Sequence, residues 1–460
     1  MAPSIYTGRF DPKFLGVVIR ARRYSEVQSF RLNDRDSKPQ ISVLGALSDE
    51  AVVSDLSRLT VLEHEVHHFH DALLYPFGHM AIRSRISASH NGFYVGIALI
   101  QLKGEANALA VPLQRWLLMP EPEREAFLAH MHRFTGRDLS TPVLPVLTPD
   151  YDFSGLRPGP LEMPKDEEGL ITGCRFALAD YQRVEDLWCS PHREGDEMTA
   201  PTIGFWEVSG LICQLTAIEA RADSEIMGRF IDWMQNHGPQ TYIRGLKVLN
   251  WCLGQINWAP TLRNYLALAS WAQMGGFETD MQQSTPADRL GRIVAAAEQG
   301  KRWSSDSRFI DLVRDWDDVI GTDSIAALMS ASDKFKRFAA EAARPDSPGR
   351  LLGPSLFTGL SSAHQLMLSS FLDDPDGYVD PVSYLYRRAA YPAGPDYGTD
   401  WIDATPAEWS PTIEYDATLG LVAMAELADA LFLPGEKSLQ TSGRSEVRKR
   451  RDLEAIRIIR

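Results

Sequence analysis

The chain has 460 residues, of which 44% are hydrophobic and 23% charged, and it carries a formal net charge of -14. This composition is that of a globular protein, and the negative charge argues against a general nucleic-acid binder because the surface would repel phosphates. No stretch of about 18 apolar residues and no basic leader with an apolar core occurs. We therefore expect neither a membrane span nor a secretory signal, and we predict a cytoplasmic protein.

The order of the predicted elements indicates a mainly α-helical fold. Residues 1–47 contain β-branched runs separated by a polar turn, so we expect a small β-containing N-terminal part. Segments with apolar residues at every third or fourth position follow, and alternating patterns are scarce. After the first long helix, further helices are predicted at 121–134, 202–236, 242–255, 261–274, 286–300, 307–319, 324–343, 361–372 and 412–433.

Composition divides the chain after residue 47 into four further regions. Residues 48–139 form a helical region, and 140–173 carry six prolines with several glycines, as in a long loop or a lid. Residues 174–345 are again helical, and 346–460 combine helices with loop-rich stretches and a basic tail. Such a tail is typical of a solvated terminal helix, and it could also dock an acidic partner.

The first long helix carries a cluster of four histidines between His64 and His70. Residues 64–68 read His-Glu-Val-His-His and match the H-E-x-x-H pattern. Positions i and i+4 lie on the same face of a helix, so His64 and His68 can direct two imidazoles at one metal ion. Apolar residues support the helix by their spacing: Leu59, Leu62, Val66, Phe69 and Leu73.

This helix resembles the active-site helix of the zincin metallopeptidases. The resemblance implies zinc bound by His64 and His68, with Glu65 as the general base that takes a proton from a metal-activated water. The metzincin subgroup is excluded because it needs Gly at position 71 and His at 74, where this chain has Asp71 and Leu74. The gluzincin pattern remains, in which a glutamate on a later helix is the third ligand. We therefore expect a multi-helix, zincin-like peptidase or amidase that acts on a peptide or a small molecule.

Three glutamates are candidates for the third ligand. At about 100° per residue, Glu219 falls inside the apolar arc of its predicted helix, and a buried carboxylate there needs a compensating partner. We therefore predict Glu219 as the ligand. Glu207 is the first alternative, because Trp206 and Gly210 could hold it near a helix crossing. Glu105 is the second, because its distance along the chain from the motif suits the gluzincin pattern.

Two other functions remain open. Two histidines and one carboxylate can also hold non-haem iron, so an iron oxygenase is the main alternative and iron the alternative metal. A non-catalytic binding protein stabilised by its metal is another, and the intact Glu65 argues against it. Asp71 lies one turn beyond His68 on the predicted helix, where its carboxylate could orient a ligand imidazole.

Overall fold

The computed structural model is mainly α-helical and divides into two compact units, of which the first holds residues 1–82, 185–340 and 357–415. The structure describes residues 8–11, 16–19, 49–83, 108–110, 122, 143–145, 200–219, 224–253, 262–275, 285–301, 303, 307–344 and 354–381. Its helices are Asp49–Leu74 (α1), Thr202–Glu219 (α2), Ser224–His237 (α3), Gln240–Cys252 (α4), Leu262–Gln273 (α5), Pro286–Glu298 (α6), Phe309–Ile320 (α7), Ser324–Ala342 (α8), Pro354–Asp373 (α9) and Pro375–Val379 (α10).

The strands that the structure describes are short. Gly8–Asp11 (β1) and Gly16–Ile19 (β2) pair antiparallel, and both contact α1. Ala108–Ala110 (β3) and Val143–Pro145 (β4) pair antiparallel in the second unit. The expectation of a β-containing N-terminal part stays a prediction, because most of residues 1–47 lie outside the described ranges. None of the described helices is both long and apolar enough to cross a membrane.

The helices predicted between residues 242 and 372 are confirmed, with ends that differ by a few residues. The largest difference is in α9, which begins at Pro354 rather than at 361. The segment predicted as one helix at 202–236 forms two, α2 and α3. The helices predicted at 121–134 and 412–433, most of the 140–173 loop and the basic tail lie outside the described residues.

The end of α1 is held by two histidines. The last carbonyl groups of a helix have no intrahelical donors and need other partners. The Leu73 carbonyl accepts hydrogen bonds from His79 Nε2 at 2.6 Å and from His364 Nδ1 at 2.7 Å. Burial lowers the pKa of His364 to about 4, so this imidazole is neutral and its Nε2 accepts from the Ser332 hydroxyl. These contacts connect α1 to α8 and α9.

Helix α2 is the centre of the first unit. Every residue from Val208 to Ile218 is buried, and α1, α4 and α5 all pack against the helix. A helix that is buried all round has no single apolar stripe. Its sequence pattern therefore does not reveal which of its faces meets α1.

A buried network holds α5 in place beside α2. The Asp317 carboxylate accepts hydrogen bonds from Trp271 Nε1 at 2.9 Å and from the Ser324 backbone N–H at 2.7 Å. The Arg289 guanidinium lies 3.6 Å from the same carboxylate and covers the Trp271 ring at 4.2 Å. Both buried charges are paired, and these contacts connect Trp271, near the end of α5 where Gln273 lies, to α6 and α7.

Candidate metal centre

Helix α1 presents His64 and His68 on one face, as the spacing predicts. Their ring centroids are 4.7 Å apart with an interplanar angle of 87°, and the residues are only 5% and 2% exposed. An aromatic ring from another helix stacks on each imidazole. Trp206 lies 5.5 Å from His68, and Tyr242 lies 6.2 Å from His64. Helix packing and stacking together limit the rotation of both imidazoles.

Glu207 of α2 completes a group of three with these histidines. Its Oε2 lies 3.1 Å from His64 Nε2 and 3.6 Å from His68 Nε2. One donor atom from each residue lies within 4.8 Å of the others. Ligand atoms about 2 Å from a tetrahedral ion are roughly 3.3 Å apart, so this group needs only small adjustments to hold one.

Gly210 allows α2 to approach the two histidines closely. A Cβ atom added at Gly210 would lie 2.9 Å from ring atoms of both His64 and His68. Carbon atoms without a bond between them are in favourable contact only at about 3.5–4.0 Å. Gly210 follows Glu207 by one turn of α2. The Glu207 carboxylate and the space that the missing Gly210 side chain leaves for the imidazoles therefore lie on the same face of the helix. The Glu-x-x-Gly spacing is therefore a sequence signal for this site.

Burial and mutual contacts shift the pKa values within the group. Burial lowers the pKa of His64, but the hydrogen bond with Glu207 and the charge of Glu65 outweigh it, and the pKa is raised above 6.5. Burial dominates at His68 and lowers its pKa to about 4. Burial raises the pKa of Glu207, but the hydrogen bond with His64 and the close contact with His68 hold it well below its usual range. These shifts favour a protonated His64 beside an ionised Glu207, and a metal cation would have to displace that proton.

The environment of His68 fits a metal ligand. Neither of its ring nitrogens has a hydrogen-bond partner among the described residues, and the 3.6 Å contact with Glu207 is longer than a hydrogen bond. A buried polar group without a partner costs roughly 1–3 kcal/mol, so coordination through Nε2 would remove a penalty. Two imidazole nitrogens and a carboxylate oxygen are donors that suit Zn²⁺ and Fe²⁺.

Glu65 lies beside this group without belonging to it. The residue is 6% exposed, and its negative charge contributes to the raised pKa of His64. Among the described residues, the group of three contains Glu207 as its carboxylate and not Glu65. A carboxylate that lies next to a metal group without being one of its donors is the arrangement that a general base requires.

The expectation that Glu219 is the third ligand is corrected by this geometry. Glu219 is the exposed last residue of α2, 12 residues (219 − 207) after Glu207. At about 1.5 Å per residue, it lies roughly 18 Å farther along the helix axis. The angular count treated 202–236 as one amphipathic helix, whereas α2 ends at Glu219 and is buried on all sides. The angular position of Glu219 around the helix axis also does not show how far along the axis the residue lies. Glu105, the other alternative, lies outside the described residues.

The Asp71 carboxylate contacts two other helices and does not contact a proposed ligand imidazole. Its Oδ2 accepts hydrogen bonds from Ser209 Oγ at 2.9 Å and from Gln273 Nε2 at 2.8 Å. The histidine beside it is His67, whose Nε2 lies 3.4 Å away and which is outside the group of three. The expected contact of Asp71 with a ligand imidazole is therefore replaced by contacts with α2 and α5. Ser209 lies two residues after Glu207, so Asp71 acts on the position of α2.

Burial shifts the pKa values of Asp71 and His67 toward their neutral forms. Burial raises the pKa of Asp71 to about 7, although hydrogen bonds from Gln273 and Ser209 act in the opposite direction. Burial and the charges of neighbouring histidines lower the pKa of His67 well below its ordinary value. Asp71 Oδ1 and Gln273 Oε1 are buried acceptors without a hydrogen-bond partner among the described residues. A proton on Oδ1 of the carboxyl group would turn one of these acceptors into a donor.

We expect Asp71→Asn to be more stable than the natural chain at alkaline pH, because asparagine cannot ionise. The folded chain keeps the Asp71 proton to a pH of about 7, whereas the unfolded chain releases it above about 3.8. The stability that this proton contributes is therefore present at low pH and is lost as the pH rises through 7. The shift corresponds to about 4 kcal/mol between pH 4 and pH 8. Urea unfolding of both proteins with chelator present, at several pH values, measures the difference.

The comparison of Asp71→Asn with the natural chain also controls for the titration of buried histidines. The lowered pKa values of His67, His68 and His364 give the opposite pH dependence, with stability lost as the pH falls below about 6.5; for His68 and His364 the loss extends to a pH of about 4. These histidines are present in both proteins, so most of their effect cancels in the difference. An Asp71→Asn variant that is equally destabilised at pH 5 and pH 8 would show that Asp71 is ionised in the folded chain.

Two residues of the site have no signal in the sequence pattern. Tyr242 donates a hydrogen bond to Glu207 Oε2 at 2.6 Å, and the two residues are 35 positions apart. Gln273 and Asp71 are 202 positions apart. Neither contact is local, so neither spacing nor periodicity could predict it.

Comparison of the chain with protein-family models, with curated proteins and with solved structures finds no match in any of the three. What the chain can do is therefore inferred from His64, His68, Glu207 and the residues in contact with them.

Proposed function

We propose that the chain is a metal-dependent hydrolase, a zinc peptidase or amidase, in which His64, His68 and Glu207 bind the ion and Glu65 is the general base. The convergence of two buried imidazoles and a carboxylate from separate helices carries this proposal. The proposal includes a zincin-like arrangement of the helices around α1, with a small β-containing part before it.

In this proposal, the ion and each of the four residues have a separate role in hydrolysis. A bound zinc ion supplies a Lewis acid that polarises a carbonyl group and lowers the pKa of water toward neutrality. His64 and His68 bind through Nε2 and are oriented by the rings stacked on them. Glu207 compensates one of the two charges of the ion. Glu65 accepts a proton from the attacking water and passes it to the leaving group.

Exposure indicates the direction from which a substrate would arrive. The Glu207 side chain is 25% exposed, whereas the side chains of His64 and His68 are 7% and 3% exposed. A peptide or small amide would therefore reach the centre from the side of Glu207. The carbonyl carbon is the atom on which this set of residues can act.

The same donor set supports a second candidate, a mononuclear non-haem iron oxygenase. Two histidines and one carboxylate on one side of the ion, with open positions on the other, are the ligands of that class. Hydrolysis is preferred because it gives Glu65 a defined role next to His64, whereas the oxygenase assigns it none.

Metal analysis tests the proposal. We expect full-length protein, purified without chelator and without a histidine tag, to contain about one zinc ion per chain. A His64→Ala, His68→Ala double variant should contain none, because it lacks two of three ligands. His237→Ala is the matched control, since His237 is exposed and lies on α3. Hydrolysis of a peptide mixture, followed by mass spectrometry, should depend on the ion.

Each other outcome has a definite meaning. Iron in place of zinc, with oxygen consumption and no hydrolysis, would replace the hydrolase by the oxygenase. Zinc that raises the melting temperature, without turnover of any amide, would favour a metal-stabilised binding protein. Natural protein that binds neither ion would contradict the metal centre itself.

A further inference from the structure

Tyr242 touches the candidate metal centre from a third helix. It lies in the first turn of α4, is 8% exposed, and stacks on His64 with an interplanar angle of 25°. Its hydroxyl donates to Glu207 Oε2 at 2.6 Å. This is the same oxygen that faces both imidazoles. The ring and the hydroxyl of one residue therefore contact two of the three proposed ligands.

Two glycines bring Tyr242 to this position. A Cβ atom added at Gly245 would lie 2.7 Å from Val208 Cγ2 and 2.9 Å from the Gly204 carbonyl oxygen. A Cβ at Gly204 would lie 3.0 Å from the backbone of α4. Gly204 precedes Glu207 by three residues, and Gly245 follows Tyr242 by three. The close crossing of α2 and α4 is thus one helical turn from the hydrogen bond.

We propose that Tyr242 is a positioning residue of the metal centre, which fixes the Glu207 carboxylate by a hydrogen bond to its ligand oxygen. The inference rests on the proposed function, because it takes Glu207 as a metal ligand. A carboxylate oxygen has two lone-pair directions. Oε2 can therefore accept a hydrogen bond from the Tyr242 hydroxyl along one direction and face an ion along the other. The hydrogen bond favours one orientation of a side chain that is partly exposed to solvent.

The physical reason for such a residue lies in the exposure of Glu207. His64 and His68 are held by burial and by stacked rings, whereas the Glu207 side chain is 25% exposed. Among the described contacts of its carboxylate with groups other than the two histidines, the Tyr242 hydroxyl is the closest. Outer partners of metal ligands typically contribute 10- to 100-fold to metal affinity. We expect Tyr242 to contribute in that range.

Tyr242→Phe in the full-length chain tests the inference, because it removes the hydroxyl and keeps the ring. We expect its affinity for Zn²⁺, measured by competition with a chromophoric chelator, to fall about 10- to 100-fold. The visible spectrum of the Co²⁺ form should also change, because Glu207 loses its fixed orientation. Tyr265→Phe is the matched control. Tyr265 is also buried, and its hydroxyl donates to Asn250 at 2.8 Å, away from the three ligands. It should leave both measurements unchanged.

A double-mutant cycle with Glu207→Ala, which removes the acceptor of the Tyr242 hydrogen bond, separates positioning from a general loss of structure. If Tyr242 acts through Glu207, adding Tyr242→Phe to Glu207→Ala should have no further effect on Co²⁺ or Zn²⁺ binding. An equal loss in both backgrounds would overturn the inference. A Tyr242→Phe variant with natural affinity and an unchanged Co²⁺ spectrum would also overturn it.

Two further outcomes are distinguishable. A ferric form with a phenolate-to-iron absorption band that disappears in Tyr242→Phe would make Tyr242 a ligand and overturn its positioning role. Natural protein that binds neither Zn²⁺ nor Co²⁺ would overturn the proposed function, and the inference with it. A failure confined to the Tyr242 comparison would overturn the inference alone and leave the proposed function standing.

Discussion

Glu65→Gln is expected to leave the metal bound and to reduce turnover by roughly 100- to 10,000-fold, the range in which general acid–base catalysis contributes. Glutamine matches the shape of glutamate but cannot accept the proton of the attacking water. Glu65 lies next to His64 and outside the group of three donors, so its loss removes no ligand. Metal stoichiometry and kcat, measured on the same preparation, are the two readouts.

The control for Glu65→Gln is the same substitution at Glu219. Glu219 is exposed at the end of α2, so Glu219→Gln should keep both metal and turnover. His64→Ala and His68→Ala form the opposite control, because each should lose the ion and the activity together. If Glu65→Gln loses the ion as completely as they do, Glu65 is itself a ligand. That result would move the assignment toward the iron centre.

Glu207→Ala is expected to weaken Zn²⁺ binding by more than 100-fold. Removing a direct ligand has a larger effect than removing an outer partner, for which about 10- to 100-fold is typical. It also removes the negative charge that lies 3.1 Å from His64 Nε2 and 3.6 Å from His68 Nε2. Isothermal titration of metal-free protein with Zn²⁺ measures the change.

Glu219→Ala distinguishes this prediction from a general effect of charge on the same helix. Both substitutions remove one carboxylate from α2, and only Glu207 meets the histidines in the structure. Unfolding by urea should also be followed, because Glu207 bonds to His64 and Tyr242, and its loss perturbs the packing around it. Equal Zn²⁺ affinity in the two variants would contradict the assignment of Glu207.

Binding of the ion would couple helix packing to function. Its three proposed ligands come from α1 and α2, which Gly210 brings into close contact. A ligand that binds only the folded chain stabilises it, so the ion would hold these helices together. It would also compete with the proton that the raised pKa of His64 favours, and binding should therefore weaken as the pH falls.

The sequence by itself determined α1 and the relation between His64 and His68. Both follow from local geometry, because a period of about 3.6 residues places positions i and i+4 on one face. Local signals likewise predicted most helix ends after residue 242, where prolines and glycines interrupt the pattern. The position of Glu65 beside a proposed ligand follows from the same helix and needs no tertiary information.

Only the tertiary structure decided which carboxylate meets these histidines. His64 and Glu207 are 143 positions apart, and no periodicity extends across such a distance. The apolar pattern of α2 was misleading because the helix is buried on all sides, so an angular count selected Glu219. The contacts of Tyr242 and Gln273 depend on how α4 and α5 cross their neighbours. Such crossings are set by the packing of whole helix surfaces, including the glycines that allow close approach, and not by any one segment.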